Sequence, residues 1–330
     1  MRPIPLPANQ PAKRFYKGGR RIAEFRGLTT WEEYTPEDWV GSVTSVFGQS
    51  PVGLSVLGDG RLLADAITSD PLPWLGPEHV SKHGADTLLL VKLLDAGQRL
   101  PIHVHPDDGF AATHLGTAHG KAEAWYILQP GTVYLGLKQS LVREDLLGLI
   151  ATKEVDTLLD TMNAIEVASG DTVFVPPGTL HAIGAGTFLM EVQQPEDLSI
   201  LVEWRDFAID GAAEGHLGLG FEIAARAISL SPLALDDLEE LVVRSAPAGE
   251  TLSARSRRYF RLQLAEAGSR HAVGFAIAIA HRGPATLQGG GDPVRLAAGS
   301  TTLIPFAYGD FSVAEGIVLL AKPPRWASPG

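Results

Sequence analysis

The segment "LPIHVHPDD" (100–108) sets His103 and His105 two residues apart. In a strand, residues i and i+2 leave the same face. The two imidazoles would therefore point together from a stretch whose other members, Ile102 and Val104, are apolar. Such a pair can share a divalent metal ion, and it can equally stand on a solvated face with no ligand. The chain has no cysteine. Disulfides and thiolate ligands are thereby excluded, and His, Asp, Glu, Gln and water remain as metal ligands. The other histidines do not extend the pair. His114 and His119 fall in the Gly-rich loop "THLGTAHGK" and read as surface or lid groups, while His79, His83, His216, His271 and His281 are scattered and read as structural.

The elements that must position this pair are read from turn residues and periodicity. The chain has 330 residues, 45% hydrophobic and 20% charged, with 36 Gly and 23 Pro, which suits a soluble globular protein with a large core and many turns. A formal charge of −11 argues against nucleic acid or an anionic membrane as partner. Residues 1–20 are Pro-rich and basic and read as an extended arm with no apolar core of the secretory kind. Apolar runs such as "TLLLVKLL" (87–94) are too short to span a bilayer, so the cytoplasm is the expected compartment. From about residue 40, short apolar segments separated by Gly and Pro predict strands, with a hairpin turn at "GDG" (58–60) and a short helix in "LLADAITSDPLPWLG". The stretch 140–163 carries apolar residues at helical spacing and predicts one or two helices inserted between strands. Strand character resumes over 245–324. Many short strands at regular spacing predict sandwiches or closed barrels. A weak repeat aligns "IEVASGDTVFVPPGTLHAI" (165–183) with "VRLAAGSTTLIPFAYGDFS" (294–312), which points to duplicated domains. The second copy lacks the Gly and His that follow the proline of the first.

The spacing carries further. Gly97 is followed after five residues by His103 and His105, Glu123 follows in "HGKAEAWYIL", and Gly170 is followed after five residues by Pro176, Pro177, Gly178 and then His181. This resembles the two signature motifs of the cupin superfamily of jelly-roll barrels. The resemblance implies one divalent metal, zinc or another, held inside the barrel by His103, His105, Glu123 and His181. Three imidazoles and a carboxylate suit several such ions. The strings "IHVHPDD", "GKAEAWYIL", "VPPGTLHAIG" and "LMEVQQPED", with the early "GG" and "EDW", are similar over nearly the whole chain to the type I mannose-6-phosphate isomerase family in its short bacterial form. That resemblance implies a mainly β fold of two cupin domains with a helical insertion. Residues 1–240 would form the catalytic cupin with its insert at about 140–163, and 241–330 a second cupin without metal.

The family interconverts an aldose phosphate and a ketose phosphate, so the implied partner is a small sugar or sugar phosphate. His103 occupies the position of a family Gln ligand. Lys121 matches the lysine of the family's "GK-x-E" and Asp197 the aspartate of its "QQ-x-x-D". Two positions depart: Pro101 stands where the family has Ser, and Leu201 where it has an Arg that faces substrate. Arg205 in "VEWRDF" lies a whole number of strand periods from 201, so it reads either as a substitute for that Arg or as a surface charge. The implied chemistry is proton transfer between C1 and C2 through an enediol, with Lys121 near the cation as base and Asp197 as proton carrier or hydroxyl partner. Trp125 reads as a sugar-stacking ring or as core. Asp107 and Asp108 read as turn caps. Losing Ser and Arg predicts weakened phosphate recognition and a preference for an unphosphorylated or differently substituted sugar, unless Arg205 and Lys121 rebuild the phosphate site. A metal-dependent oxygenase and a non-catalytic sugar-binding protein stand as alternatives.

Overall fold

Short strands bounded by Gly and Pro dominate the computed structural model, which describes residues 1–325. After β1 (Ile4–Leu6) in the arm come β2 (Glu37–Val40), β3 (Leu90–Asp95), β4 (His103–Val104), β5 (Glu123–Gln129) and β6 (Gly131–Leu137). Then follow β7 (Met162–Val167), β8 (Thr172–Val175), β9 (His181–Ile183), β10 (Phe188–Gln193), β11 (Ile200–Leu201) and β12 (Val242–Val243). Strands β2 to β12 make two antiparallel sheets, β12–β8–β5–β10–β3–β2 and β11–β4–β9–β6–β7. This is the expected mainly β architecture.

Alternation along the strands decides which side chains reach the interior. Ile102, Val104 and Ala182 belong to an apolar cluster on the outer face of the five-stranded sheet. Their neighbours His103, His105 and His181 therefore turn to the opposite face, inward. The outer cluster is closed by helices Arg143–Thr152 and Val155–Asp160, the expected insert, through Leu146, Ile150 and Leu158. Gly97 is required for a different reason. A Cβ there would stand 2.8 Å from the Cα of Gly18 and from the carbonyl oxygen of Lys17, so two glycines let the arm's backbone run against the strand end.

The remaining strands are β13 (Gly249–Glu250), β14 (Arg261–Glu266), β15 (Arg270–His271), β16 (Ala276–Gln288), β17 (Val294–Leu296), β18 (Thr301–Ile304) and β19 (Phe311–Lys322). They form one eight-stranded sheet together with β1. Register breaks between His281 and Leu287 mark bulges in the long β16–β19 pair, where strands bend. One face of this sheet, with Ala276, Ala278, Ala280, Val318 and Leu320, encloses its own core, while the other, with Leu262, Ile277, Ile279, Leu303 and Leu319, shares one core with the six-stranded sheet. Burial on both faces explains why "AIAIA" and "GIVLLAK" read as unbroken apolar runs. The second copy of the repeat places its turn in a 3-10 helix, Phe306–Tyr308, in place of a histidine-bearing strand.

Two strands cross the boundary expected at 240/241. Strand β1 pairs with β18, Ile4 opposite Leu303, and so lies in the second sheet. Strand β12 pairs with β8, Val242 opposite Val173, and so lies in the first. Among the described residues, no helix is long and apolar enough to cross a membrane.

His281 on β16 lies with its Nε2 3.4 Å from the Tyr126 hydroxyl on β5, and its Nδ1 is buried without a partner. Burial, with Arg282 beside it, lowers its pKa to about 4. A histidine kept neutral in this way stabilises the fold fully above its unfolded pKa of about 6.5, and that contribution is lost as pH falls toward 4. At pH 5 the loss is about 2 kcal/mol. The melting temperature of the wild type should therefore drop more steeply between pH 7 and pH 5 than that of His281→Gln. Equal slopes would remove His281 as a cause of acid sensitivity.

Candidate metal centre and substrate cavity

Each of the three inward histidines has one ring nitrogen committed to a backbone carbonyl. His103 Nδ1 donates to Pro101 O at 2.8 Å, His105 Nδ1 to Leu198 O at 2.6 Å and His181 Nδ1 to Thr179 O at 2.8 Å. A carbonyl can only accept, so Nδ1 carries the proton in all three and Nε2 presents a lone pair. The candidate ligand nitrogens lie within 4.8 Å of one another, all on buried side chains. His103 stands opposite His181 in the β4–β9 register, which fixes two of the three by backbone pairing alone. Burial holds the imidazoles of His103 and His105 neutral. The first is well below its ordinary range, helped by His181 and His105; the second is near 3, helped by the Lys121 ammonium.

Glu123 enters from the facing sheet. Its Oε1 is 3.3 Å from His181 Nε2, and its Oε2 is 2.9 Å from both His105 Nε2 and Lys121 Nζ. Burial alone would raise its pKa, but Lys121 and His105 outweigh that and hold the carboxyl well below the usual range. His181 Nε2 is buried without a hydrogen-bond partner. Lys121 covers Glu123 Oε2 and His105 Nε2 from one side, but the His181 Nε2 lone pair faces the carboxylate at 3.3 Å with no donor between them, which is costly in a buried place unless a cation sits among the three histidines. Their Nδ1–carbonyl bonds are the outer supports that metal-bound histidines use. The donor set thus fits a divalent ion, three nitrogens and one carboxylate, as the sequence motifs imply. The tight group of mutual distances comprises the three histidines; Glu123 approaches two of them.

The cavity beside this centre has a volume of about 430 Å³, within the range of small-ligand sites. Its wall on the six-stranded sheet is a row of charges where a sandwich interior is ordinarily apolar. Lys92 on β3 lies opposite Glu191 on β10, with Glu37 at the far edge on β2 and Glu123 on β5. Lys92 Nζ is 3.4 Å from Glu37, 3.6 Å from Glu191 and 3.7 Å from Asp197, and these acids outweigh its burial and raise its pKa. Lys121 Nζ reaches Glu191 at 4.0 Å. Burial, with Glu123 nearby, raises the pKa of Glu191, whose Oε1 has no hydrogen-bond partner. The two "E-x-W" strings have one local geometry. The indole of Trp39 donates to Glu37 at 2.7 Å and that of Trp125 donates to Glu123 at 3.1 Å.

The structure brings Lys121 and Asp197 to the cavity with His103 and Glu123, and it lines the same cavity with Pro101, Ser199 and Leu201. Asp197 accepts a hydrogen bond from the Phe47 backbone N–H at 3.2 Å and faces Arg14 at 3.8 Å. Arg205 is a correction. Strand β11 ends at Leu201, the chain turns, and period-2 spacing no longer applies; the Arg205 guanidinium binds Asp156 on the inserted helix at 2.8 and 3.1 Å with its side chain 45% exposed. It lies outside the cavity wall and behaves as a surface charge. Trp125 is wholly buried and supports Glu123 from the core. Asp107 caps the helix Asp108–His114 by accepting from the Phe110 N–H at 2.7 Å.

Among the cavity residues that escaped the sequence reading are Arg14, Glu37, Lys92 and Glu191. For Lys92 and Glu191 the available signal was a single charge inside an otherwise apolar strand, as in "LLVKLLD" and "FLMEVQ", because such a charge is tolerated only when paired.

No protein-family model matches the chain. Among curated proteins it is 32% identical over 242 residues to the mannose-6-phosphate isomerase of Streptococcus mutans, covering 70% of this chain and 72% of that protein. It is 34% identical over 184 residues to the mannose-6-phosphate isomerase ManA of Bacillus subtilis, spanning 54% of each. Among solved structures, the B. subtilis mannose 6-phosphate isomerase superposes with a TM-score of 0.68 at 21% identity, over 97% of this chain and 99% of that one. The Salmonella typhimurium mannose 6-phosphate isomerase, in its apo form, superposes with a TM-score of 0.71 at 15% identity, over 98% and 100%. At these identities the superpositions establish the fold.

Proposed function

Since the chain belongs to the mannose-6-phosphate isomerase family, we propose that it interconverts mannose 6-phosphate and fructose 6-phosphate as a metal-dependent aldose–ketose isomerase. The observation that carries this reading is the meeting of three inward Nε2 lone pairs and the Glu123 carboxylate at one end of a charged cavity. His103, His105, His181 and Glu123 would hold the ion. Zinc is favoured by a nitrogen-rich set with one carboxylate. Once bound, the ion supplies Lewis-acid polarisation of the sugar's carbonyl and hydroxyl oxygens.

Lys121 is the proton carrier in this reading. Its Nζ is buried at the metal end, 2.9 Å from Glu123; as the free amine, with the ion in its place on Glu123 and His105, it would take the proton from one carbon and return it to the neighbour. Asp197 lies farther along. Its contacts to Lys92 at 3.7 Å and Arg14 at 3.8 Å are longer than hydrogen bonds, which leaves carboxylate lone pairs for a sugar hydroxyl. The buried walls exclude water from the enediol. The second domain has a structural role here, and the working compartment is the cytoplasm.

Pro101 and Leu201 in the cavity wall favour a second reading, an isomerase of an unphosphorylated sugar. The two are separated by kcat/KM for mannose 6-phosphate and for mannose with the metal-loaded protein. The first reading expects the phosphate ester to be preferred by at least about tenfold, the value of one charge-assisted contact. A preference for mannose would establish the second, and no interconversion of either sugar would remove both.

A further inference from the structure

Resting on the isomerase reading above, we propose that Arg14, carried by the N-terminal arm, is the phosphate-recognising cation of this cavity, in the role left open at Leu201. Arg14 and Leu201 line the same cavity from different elements. The Arg14 side chain is 14% exposed, so its charge is largely removed from water. Its Nε donates to Glu37 Oε1 at 3.0 Å, and Nη2 stands 3.8 Å from Asp197, beyond hydrogen-bond reach. Among the described residues no acceptor engages Nη1. Glu37 is itself saturated, accepting from Tyr16 at 2.6 Å and Trp39 at 2.7 Å in addition to Arg14. Glu37 thus serves as a fixed clamp that aims the guanidinium and leaves its Nη edge for a ligand. A planar fork of this kind matches two oxygens of a phosphate.

The position along the cavity agrees with the substrate's shape. Arg14 contacts Glu37 and Asp197, whereas the histidine cluster contacts Glu123, and Lys92 and Glu191 lie between these groups. In a hexose 6-phosphate the reacting carbons and the phosphate stand at opposite ends of the molecule. The metal end would take C1 and C2, and the Arg14 end would take the phosphate. Lys13 adds a second cation at the exposed rim, presented by a left-handed backbone with φ of 61°. No charged side chain of the five-stranded sheet has to replace the missing Arg, because the arm brings one across.

The experiment compares the metal-loaded wild type with Arg14→Lys and Arg14→Gln. Titration calorimetry with inorganic phosphate gives the first readout, and the ratio of kcat/KM for mannose 6-phosphate to that for mannose gives the second. The expected result for Arg14→Gln is a 10- to 100-fold weaker phosphate affinity and an equal fall in the ratio, expressed mainly in KM. Arg14→Lys keeps a charge opposite Glu37 and loses the fork; it should show a smaller fall in both, and it carries the comparison should the Gln variant not fold. Unchanged phosphate affinity and an unchanged ratio in the folded variants would overturn the proposal. The isomerase reading fails separately. A wild type that binds phosphate through Arg14 without turning over mannose 6-phosphate would sink that reading and leave the anion site standing.

Discussion

Replacing His181 by alanine should strip the metal from the protein and lower isomerase activity by at least about a thousandfold. The size follows from what the residue does. Metal ligands act as a set, and even their outer-shell supports cost about 10- to 100-fold when removed, so loss of one of three imidazoles must cost more. His181 is wholly buried and its Nε2 has no other partner, so no neighbour can take its place. The wild type should contain one ion per chain by elemental analysis and the variant less than a tenth of that. Equal occupancy in the two would sink the ligand assignment. Chelation of the wild type should also lower its melting temperature. An ion present at a hundred times its Kd contributes about 2.7 kcal/mol to the folded state, and here its removal also leaves the converging lone pairs unrelieved.

The second large effect belongs to Lys121. Substitution by methionine keeps the bulk and removes the amine. A proton carrier lost in this way lowers kcat by about 10²- to 10⁴-fold. Metal content should be retained or rise, because a cation 2.9 Å from both Glu123 and His105 competes with the ion for the same oxygen and nitrogen. That split between metal content and turnover separates a carrier from a ligand support. A kcat within tenfold of the wild type, or a loss of turnover that merely tracks a loss of metal, would remove Lys121 from the chemistry.

The metal end of the site was legible because period-2 alternation is a local rule. Ile102, His103, Val104 and His105 occupy neighbouring positions, and backbone pleating alone separates the apolar from the ligating side chains. The same rule misplaced Arg205, since it holds only while the strand continues and β11 stops at Leu201. Glu37, Lys92 and Glu191 were hidden for a different reason. Lys92 and Glu191 sit in strands buried on both faces, where alternation is masked and the charge reads as an interruption of an apolar run, and Glu37 opens a fully buried strand beside a second acid, Asp38. Their mutual pairing arises across strands far apart in sequence. Arg14 was hidden in a Pro-rich stretch that reads as a loose arm, because nothing local announces that its N–H will bond Tyr34 and its guanidinium Glu37, or that Ile4 will pair with Leu303.

That last pairing has a consequence for the order in which the molecule is made. Synthesis proceeds from the N-terminus at about 5–20 residues per second, so β1 emerges roughly 15–60 s before the strand that pairs with it. His103, His105, Lys121, Glu123 and His181 all precede residue 182, and β10 and β3, which hold Glu191 and Lys92, can close soon afterwards. The two N-terminal sheets can therefore take up an ion while β1 is still unpaired. Arg14 is held within this early portion, its backbone N–H donating to Tyr34 O at 3.0 Å and its Nε to Glu37 at 3.0 Å, so only β1 waits for β18. Ribosomal timing thus lets the metal end and the Arg14 end of the cavity form from the same early stretch of chain, and leaves the docking of β1 onto the second sheet as the last step.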